Sequence, residues 1–200
     1  MTILSLQFKG SRDYLHGTDF YEAIVNAAAA EKGLAETAVK LSIHHLSRRQ
    51  VALHWQDGQA ARPSDAAVVF RLAAPGGAAP VEGWLSETEA TVDGRYPYNE
   101  DEAVSPALVE GETIAFAQET PYKPIEILVA MTKRLHYTVM PISAGKWMFT
   151  RLDLDRRLRK QDTGALTVRL ANRLGQRLTK SEVQVSGRRI GDIYFSVVQA

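Results

Sequence analysis

The chain has 200 residues, of which 45% are hydrophobic and 24% charged, with a formal net charge of +1 and no cysteine. This composition is typical of a globular protein, and the length allows one large domain or two small ones packed together. Disulfides, cysteine nucleophiles and thiolate metal sites are excluded. No apolar run approaches the roughly 20 residues that span a bilayer and no secretory signal is visible, so we expect a cytoplasmic protein without a membrane span.

The charges are divided unevenly along the chain. Residues 1–110 carry 9 Lys and Arg against 15 Asp and Glu, whereas residues 111–200 carry 15 against 8. A basic half can favour anionic ligands such as phosphates, nucleic acid or an acidic carrier protein. The alternative is that two complementary halves attract each other, which explains the charges without any ligand.

The first half predicts a strand, one helix and four further strands. Residues 2–9 alternate as a strand does. A helix should begin near Thr18 or Asp19, because Asp19 and Glu22 have the spacing of a capping box, and it should end at Gly33. Alternation then predicts the strands 39–43, 51–55, 66–73 and 81–92.

The second half repeats this order after a change of composition over 93–111, which we interpret as a linker. A strand at 113–117 precedes a helix over 125–135 that is apolar around much of its circumference. The strands predicted after it are 137–142, 146–154, 165–172, 180–186 and 190–198. The segments Ala67–Ala73 and Ala165–Ala171 match in sequence, and we therefore expect a duplication with repeats at 1–92 and 112–200.

We therefore interpret each half as a β-α-β-β-β-β unit of the α+β class with a mostly antiparallel sheet, the second half having one further predicted strand. This tandem order resembles the double-hotdog (tandem hotdog) acyl-thioester superfamily, in which an antiparallel sheet wraps around two helices. A duplicated ferredoxin-like module would need two helices in each repeat, and each half has one. The resemblance implies an enzyme of fatty acid metabolism, of thioesterase or dehydratase type, with acyl-CoA or acyl carrier protein as partner and no cofactor.

The resemblance places the candidate site at the start of the helix in either repeat. The catalytic candidates are His16, Asp19 and Glu22, and the ligand-binding candidates there are Arg12, Tyr14, Tyr122 and Lys123. His16 could act as a general base beside a thioester carbonyl, and helix-start amides could stabilise the oxyanion. Asp19 or Glu22 could instead activate a water molecule. The alternative without a substrate is that both acids cap the helix and His16 packs in its loop.

Two further groups of residues bear on ligands in the second half. Glu126 lies in the first helical turn with no His shortly before it, which indicates that one half has lost catalytic residues. Arg169 and Arg173, which strand alternation places on one face, could hold coenzyme A phosphates or dock a carrier protein. A charged, solvated sheet edge explains them equally well.

The histidines do not predict a metal site. His44 and His45 are neighbours on a strand and face opposite sides, so they cannot easily bind one ion together with His54. Two other classes of function stay open: a non-catalytic binding or assembly module that uses its charge-asymmetric halves to associate with itself, as a homo-oligomer, or with a partner, and an RNA-binding protein. The second is the weaker because aromatic stacking partners near the basic residues are few.

Overall fold

The computed structural model describes residues 2–57, 61–74, 76, 79–175 and 177–199. The chain divides into two compact units, Met1–Tyr98 and Asn99–Ala200. The division falls inside the segment 93–111, which contains two short strands and a short helix. The repeat boundaries 1–92 and 112–200 stay a prediction.

The first unit has one helix and seven strands among its described residues. Five strands form an antiparallel sheet in the order β1-β4-β6-β5-β3, and β2 pairs with β7 in parallel. The elements are β1 (Thr2–Ile3), β2 (Phe8–Lys9), α1 (Gly17–Lys32), β3 (Ala38–Ile43), β4 (Val51–Trp55), β5 (Val68–Ala73), β6 (Val81–Glu87) and β7 (Arg95–Tyr96).

The predicted strand 2–9 is two short strands. Between them the backbone of Leu6 exchanges hydrogen bonds with the side-chain amide of Gln50, at 2.9 and 2.8 Å, instead of with a neighbouring strand. The side-chain amide satisfies the backbone groups that a ladder would otherwise pair. The chain is therefore free to leave the five-stranded sheet and to form the separate β2–β7 pair.

Helix α1 presents one apolar face. Phe20, Ile24 and Ala28 follow each other at four-residue spacing and are at most 1% exposed, which is the stripe of a helix that packs on a core. The helix ends at Gly33, whose φ of 68° is left-handed. The predicted C-terminal stop is confirmed.

The second unit contains the longer strands. The six strands among its described residues form an antiparallel sheet in the order β10-β13-β12-β11-β9-β8. The elements are α2 (Glu100–Ala103), β8 (Leu108–Glu110), β9 (Thr113–Phe116), α3 (Pro124–Val139), β10 (Lys146–Leu154), a 3-10 helix (Lys160–Ala165), β11 (Leu166–Leu174), β12 (Leu178–Val185) and β13 (Arg188–Val198).

Helix α3 corrects one prediction and confirms another. The predicted strand 137–142 is wrong, because helical hydrogen bonding continues as far as the amide of Met140, which donates to the carbonyl of His136. Pro141, without a backbone N–H, cannot continue it. All eight residues from Ile125 to Thr132 are buried, as expected for a helix that is apolar around its circumference.

The two units share one arrangement. In each, the first strand after the long helix (β3 or β10) lies at one end of the unit's strand order, and the last strand of that sheet before the helix (β1 or β9) lies at or next to the other end. One long helix accompanies a single antiparallel sheet, which is the hotdog arrangement. The predicted α+β, double-hotdog fold class is therefore confirmed. None of the described helices is long and apolar enough to cross a bilayer.

Candidate active site

The start of helix α1 is capped by a histidine. His16 has an extended backbone (φ −84°, ψ 140°), and its Nδ1 accepts the amide hydrogen of Thr18 at 3.4 Å. The same Nδ1 lies 2.7 Å from Thr18 Oγ1. These contacts satisfy a first-turn amide that lacks a partner within the helix. The predicted capping box of Asp19 and Glu22 is wrong, because Asp19 lies inside the first turn and faces another partner.

That partner is Lys9, a residue of β2 that the sequence pattern did not indicate. Lys9 is 0% exposed, and Asp19 is 7% exposed. The ammonium Nζ donates to Thr18 Oγ1 at 2.7 Å and lies 2.9 Å from Asp19 Oδ1. A buried carboxylate and a buried ammonium at this distance compensate each other's charge, which neither could do alone inside a protein.

Two tyrosines of the segment predicted as linker close over Lys9. The parallel pairing of β2 with β7 sets Lys9 opposite Tyr96. The Tyr96 hydroxyl donates to Asp19 Oδ1 at 2.9 Å. The rings of Tyr96 and Tyr98 have their centroids 5.3 and 4.9 Å from Lys9 Nζ, which is within the range of cation–π attraction.

The loop after β2 is tied to the same segment. Arg95 donates to the carbonyls of Gly10 and Arg12 at 2.5 and 2.6 Å. Gly10 has a φ of 59°, and a Cβ there would lie 2.6 Å from the carbonyl oxygen of Tyr98. The guanidinium of Arg12 lies 5.8 Å from the centre of the Tyr98 ring. We refer to Lys9, His16, Thr18, Asp19 and Tyr96 as the polar cluster.

The two carboxylate oxygens of Asp19 differ. Oδ1 receives Lys9 and Tyr96, whereas Oδ2 is buried and has no hydrogen-bond partner within the part of the chain that the structure describes. A buried acceptor without a partner is costly, so proteins keep few of them. A bound ligand with a donor group would satisfy this oxygen.

The other predicted residues of the first unit lie close to the polar cluster in sequence. Glu22 is half-buried in the next turn of α1, and Tyr14 is half-buried in the loop before the helix. The structure thus brings His16 and Asp19 into one hydrogen-bonded group through Thr18 and Lys9. It places Arg12 beside Tyr98.

The helix start of the second unit is different in kind. Lys123 precedes α3, and its backbone N–H donates to the carboxylate of Glu126 at 2.9 Å. Glu126 is 5% exposed. This is half of a capping box and gives the acid a structural partner. The carbonyl of Tyr122 accepts from Lys160 Nζ at 3.1 Å.

The prediction that Arg169 and Arg173 share a strand face is wrong. A β-bulge between Leu170 and Asn172 shifts the register of β11, so that Arg169 pairs with Glu182 and Arg173 with Thr179. Positions 182 and 179 lie three residues apart on β12, and an odd spacing reverses the face. Arg169 contacts Glu182 at 2.7 Å, and Arg173 contacts Glu112.

Carboxylates accompany much of the basic half. Besides those two arginines, ion pairs join Arg151–Asp153, Arg156–Asp162, Lys180–Asp192 and Arg189–Asp192. Nucleic-acid affinity depends on cations that neutralise phosphates. Because these cations are already paired with carboxylates, they support nucleic-acid binding less than a surface of unpaired lysines and arginines would.

The second unit buries a histidine that the sequence pattern did not single out. His136 is 0% exposed, with Nδ1 2.5 Å from the Thr132 carbonyl and Nε2 2.6 Å from Thr179 Oγ1. Burial lowers the pKa of His136 from 6.5 to about 4, so the imidazole is neutral at pH 7. His136 lies four residues after the buried Thr132, on the same face of α3. This spacing is the sequence feature from which its burial could have been predicted.

Metal-ligand chemistry has no cluster to support it in the described ranges. No group of three or more His, Asp or Glu side chains that could hold an ion occurs among the described residues. His44 and His45 are both exposed. His54 stacks on Trp84 with ring centroids 5.2 Å apart, which gives it a packing role.

No protein-family model and no curated protein matches the chain. Among solved structures it is similar to a trans-AT polyketide synthase dehydratase domain from Brevibacillus brevis, with a TM-score of 0.51 and 9% identity over 93% of this chain and 86% of that one. The dehydratase domain of a mycocerosic acid synthase-like polyketide synthase has a TM-score of 0.50 and 12% identity, over 92% of this chain and 82% of that one. A tesB protein from Mycobacterium avium subsp. paratuberculosis has a TM-score of 0.50 and 10% identity, over 96% of this chain and 91% of that one. At these identities the likeness is one of fold.

Proposed function

We propose that the chain binds acyl thioesters, as acyl-CoA or acyl carrier protein conjugates, and acts on them as an enzyme of thioesterase or dehydratase type. The observation that carries this proposal is the carboxylate of Asp19. Its Oδ1 is held by Lys9 and Tyr96, and its buried Oδ2 has no partner among the described residues. The names of the structures that share the fold, two dehydratase domains and a tesB protein, support the same class of substrate.

The chemistry follows from an oriented carboxylate at a helix start. As a general base, Asp19 Oδ2 would take a proton from a water molecule that attacks the thioester carbonyl and would return this proton to the departing sulfur, so that the thiol leaves. In the dehydratase variant it would take the proton next to the carbonyl and pass it to the β-hydroxyl, which then leaves as water. The positive end of α1 would stabilise the negative oxygen that forms in either case. Glu22, one turn further, is the second candidate for this base.

The residues predicted to bind the ligand differ in how well their positions suit that role. Arg12 lies beside the Tyr98 ring next to the polar cluster, and we propose it as the contact for a phosphate of the carrier group, with Tyr14 nearby in sequence. Arg169 and Arg173 lie on opposite faces of β11, so they would act separately. Tyr122 and Lys123 would serve a ligand only at the α3 start.

A thermal-shift series tests whether thioesters bind. A ligand that binds only the folded state raises the melting temperature by mass action. Free CoA, short and long acyl-CoAs and heparin, as an unrelated polyanion, are compared on the full chain. We expect a shift that grows with acyl length and is absent with heparin. An equal shift with heparin, or none with any thioester, would refute the proposal.

A second candidate is a non-catalytic binding or assembly module. The observation that favours it is the Lys9–Asp19 pair itself, because a buried ion pair that joins β2 to α1 can serve to specify the fold. Under this hypothesis Asp19→Asn would reduce stability and leave no activity to lose. Thioester binding without any turnover would support this candidate over the enzyme.

A further inference from the structure

Lys9 makes a contact that the base chemistry of Asp19 does not require. Besides approaching Asp19, its ammonium group donates to Thr18 Oγ1 at 2.7 Å. An ammonium group has no acceptor, so in this contact the hydroxyl oxygen of Thr18 must accept. The direction of this hydrogen bond is therefore fixed by chemistry alone.

The direction of the next hydrogen bond follows from the backbone donor at the histidine nitrogen. Thr18 Oγ1 lies 2.7 Å from His16 Nδ1. Lys9 occupies one of the two lone pairs of the hydroxyl oxygen, and the hydroxyl keeps its single proton for another acceptor. The backbone N–H of Thr18 donates to Nδ1 from 3.4 Å, which Nδ1 can accept only as an unprotonated nitrogen. The hydroxyl of Thr18 therefore donates its proton to Nδ1 as well.

We infer that Lys9, through Thr18, fixes His16 as the neutral Nε2–H tautomer. A proton on Nδ1 would face the amide N–H of Thr18 and would oblige the Thr18 hydroxyl to turn away from its acceptor. Lys9 is thus a positioning residue that acts on His16 without touching a substrate. We call Lys9, Thr18 and His16 the hydrogen-bond chain.

A fixed Nε2–H tautomer changes the roles first expected of His16 and Asp19, and these new roles rest on the proposed function. A histidine whose Nδ1 is occupied by two donors and whose Nε2 bears the proton offers a hydrogen-bond donor and not a base. Proton removal then falls to Asp19, whose buried Oδ2 has no hydrogen-bond partner among the described residues. His16 would donate to the oxygen that becomes negative.

The tautomer can be observed directly. Long-range ¹H–¹⁵N correlation spectra of the ¹⁵N-labelled full chain at pH 7 distinguish the protonated from the unprotonated imidazole nitrogen, and His16→Gln assigns the signals. We expect protonation at Nε2 in the wild type. Thr18→Val removes the hydroxyl at nearly constant volume, and Lys9→Met removes the ammonium group. Both variants should show a mixture of tautomers or an imidazolium, and Thr18→Val serves if Lys9→Met does not fold.

The control is Thr138→Val, which removes an exposed hydroxyl from α3 and should leave the His16 signals unchanged. A wild-type spectrum with the proton on Nδ1 overturns the inference, as does an unchanged tautomer in Thr18→Val. The outcome is separate from that of the proposed function. If the spectra show the Nε2–H tautomer but no thioester binds, the hydrogen-bond chain is supported and the proposed enzyme function is refuted. If the protein turns over thioesters but carries the proton on Nδ1, the function is supported and the hydrogen-bond chain is refuted.

Discussion

The ammonium group of Lys9 lies 2.9 Å from the carboxylate of Asp19, and both side chains are almost completely removed from solvent, at 0% and 9% exposure. Nine residues of loop and helix start separate the two positions in sequence. The pair therefore ties β2 to the first turn of α1. It also determines which oxygen of Asp19 is left without a hydrogen-bond partner in the described part of the chain.

Lys9→Met should destabilise the protein strongly. Removing one member of a buried ion pair leaves the other charge uncompensated, which typically costs about 3–5 kcal/mol. Urea unfolding at pH 7 measures the change in the free energy of unfolding. The double variant Lys9→Met/Asp19→Asn should recover part of the loss, because it removes the uncompensated charge.

Lys32→Met is the matched control for Lys9→Met. Lys32 pairs with Asp57 at 3.5 Å, and the two side chains are 27% and 77% exposed. Exposed pairs contribute about 0–1 kcal/mol. Equal losses from the two lysine variants would show that the Lys9–Asp19 pair has no special role.

Gly10→Ala should cost more than Gly33→Ala. Both glycines have left-handed backbones, with φ of 59° and 68°, but a Cβ at Gly10 would lie 2.6 Å from the Tyr98 carbonyl, and one at Gly33 would meet nothing within 4 Å. The left-handed conformation alone costs about 1–2 kcal/mol in either variant. Urea unfolding measures the additional loss of unfolding free energy in Gly10→Ala over that in Gly33→Ala. This difference reports how closely the Tyr96–Tyr98 segment packs on the loop beside the polar cluster. Equal costs would contradict this close packing.

His136 should make the protein less stable in mild acid. Its pKa falls from 6.5 in the unfolded chain to about 4 in the folded one, so the unfolded state binds more protons between these values. The contribution of neutral His136 to the free energy of unfolding is complete above pH 6.5 and is lost as the pH falls towards 4. The total loss is about 3 kcal/mol. Unfolding free energies at pH 7.5 and 4.5 measure it.

Carboxylates titrate over part of the same range, so the comparison needs variants. His136→Gln should show a smaller loss between pH 7.5 and 4.5 than the wild type, whatever its absolute stability. His44→Gln, at an exposed position, should lose as much as the wild type. An unchanged pH dependence in His136→Gln would contradict burial of the neutral imidazole.

Glu126→Gln tests whether the α3 start is only structural. The carboxylate accepts the backbone N–H of Lys123, and loss of such a cap costs about 0.5–2 kcal/mol. We expect a loss of stability in this range with any thioester turnover unchanged. A large fall of turnover in the folded variant would place catalytic chemistry in the second unit.

The sequence predicted the element order well because periodicity depends on local burial. The helix at α1, its end at Gly33 and the paired strands of both units follow from such patterns. The strand predicted at 137–142 failed because β-branched residues at a helix end favour a strand locally, whereas tertiary packing of α3 extends the helix to Val139.

The sequence match that suggested duplication does not join equivalent strands. Ala67–Ala73 covers β5, which lies between β6 and β3, whereas Ala165–Ala171 lies in β11, between β12 and β9. Buried strands share apolar composition whatever their place in a sheet. The two units share the end positions of the strands that flank the long helix, whereas the middle strands follow in the order β4-β6-β5 in the first unit and β11-β12-β13 in the second.

The candidate site could be predicted only in part. His16 and Asp19 were visible because they stand at a helix start. Lys9 was not, since a lysine at the end of an alternating strand usually faces solvent. Tyr96 belongs to a polar, proline-containing stretch typical of linkers, and its contact with Asp19 depends on the parallel β2–β7 pairing across 87 positions of chain, which no local pattern reveals.

The most direct test of the central claim is turnover of acyl-CoA and acyl carrier protein thioesters by the wild type, Asp19→Asn and Asp93→Asn. Hydrolysis is followed by thiol release and dehydration by mass spectrometry of the acyl product. Loss of a general base typically lowers the rate about 10²–10⁴-fold. We predict such a fall in kcat for Asp19→Asn with KM little changed, and wild-type rates for Asp93→Asn, which changes an exposed carboxylate. Full activity in a folded Asp19→Asn protein, or no turnover of any thioester by the wild type, would contradict the account.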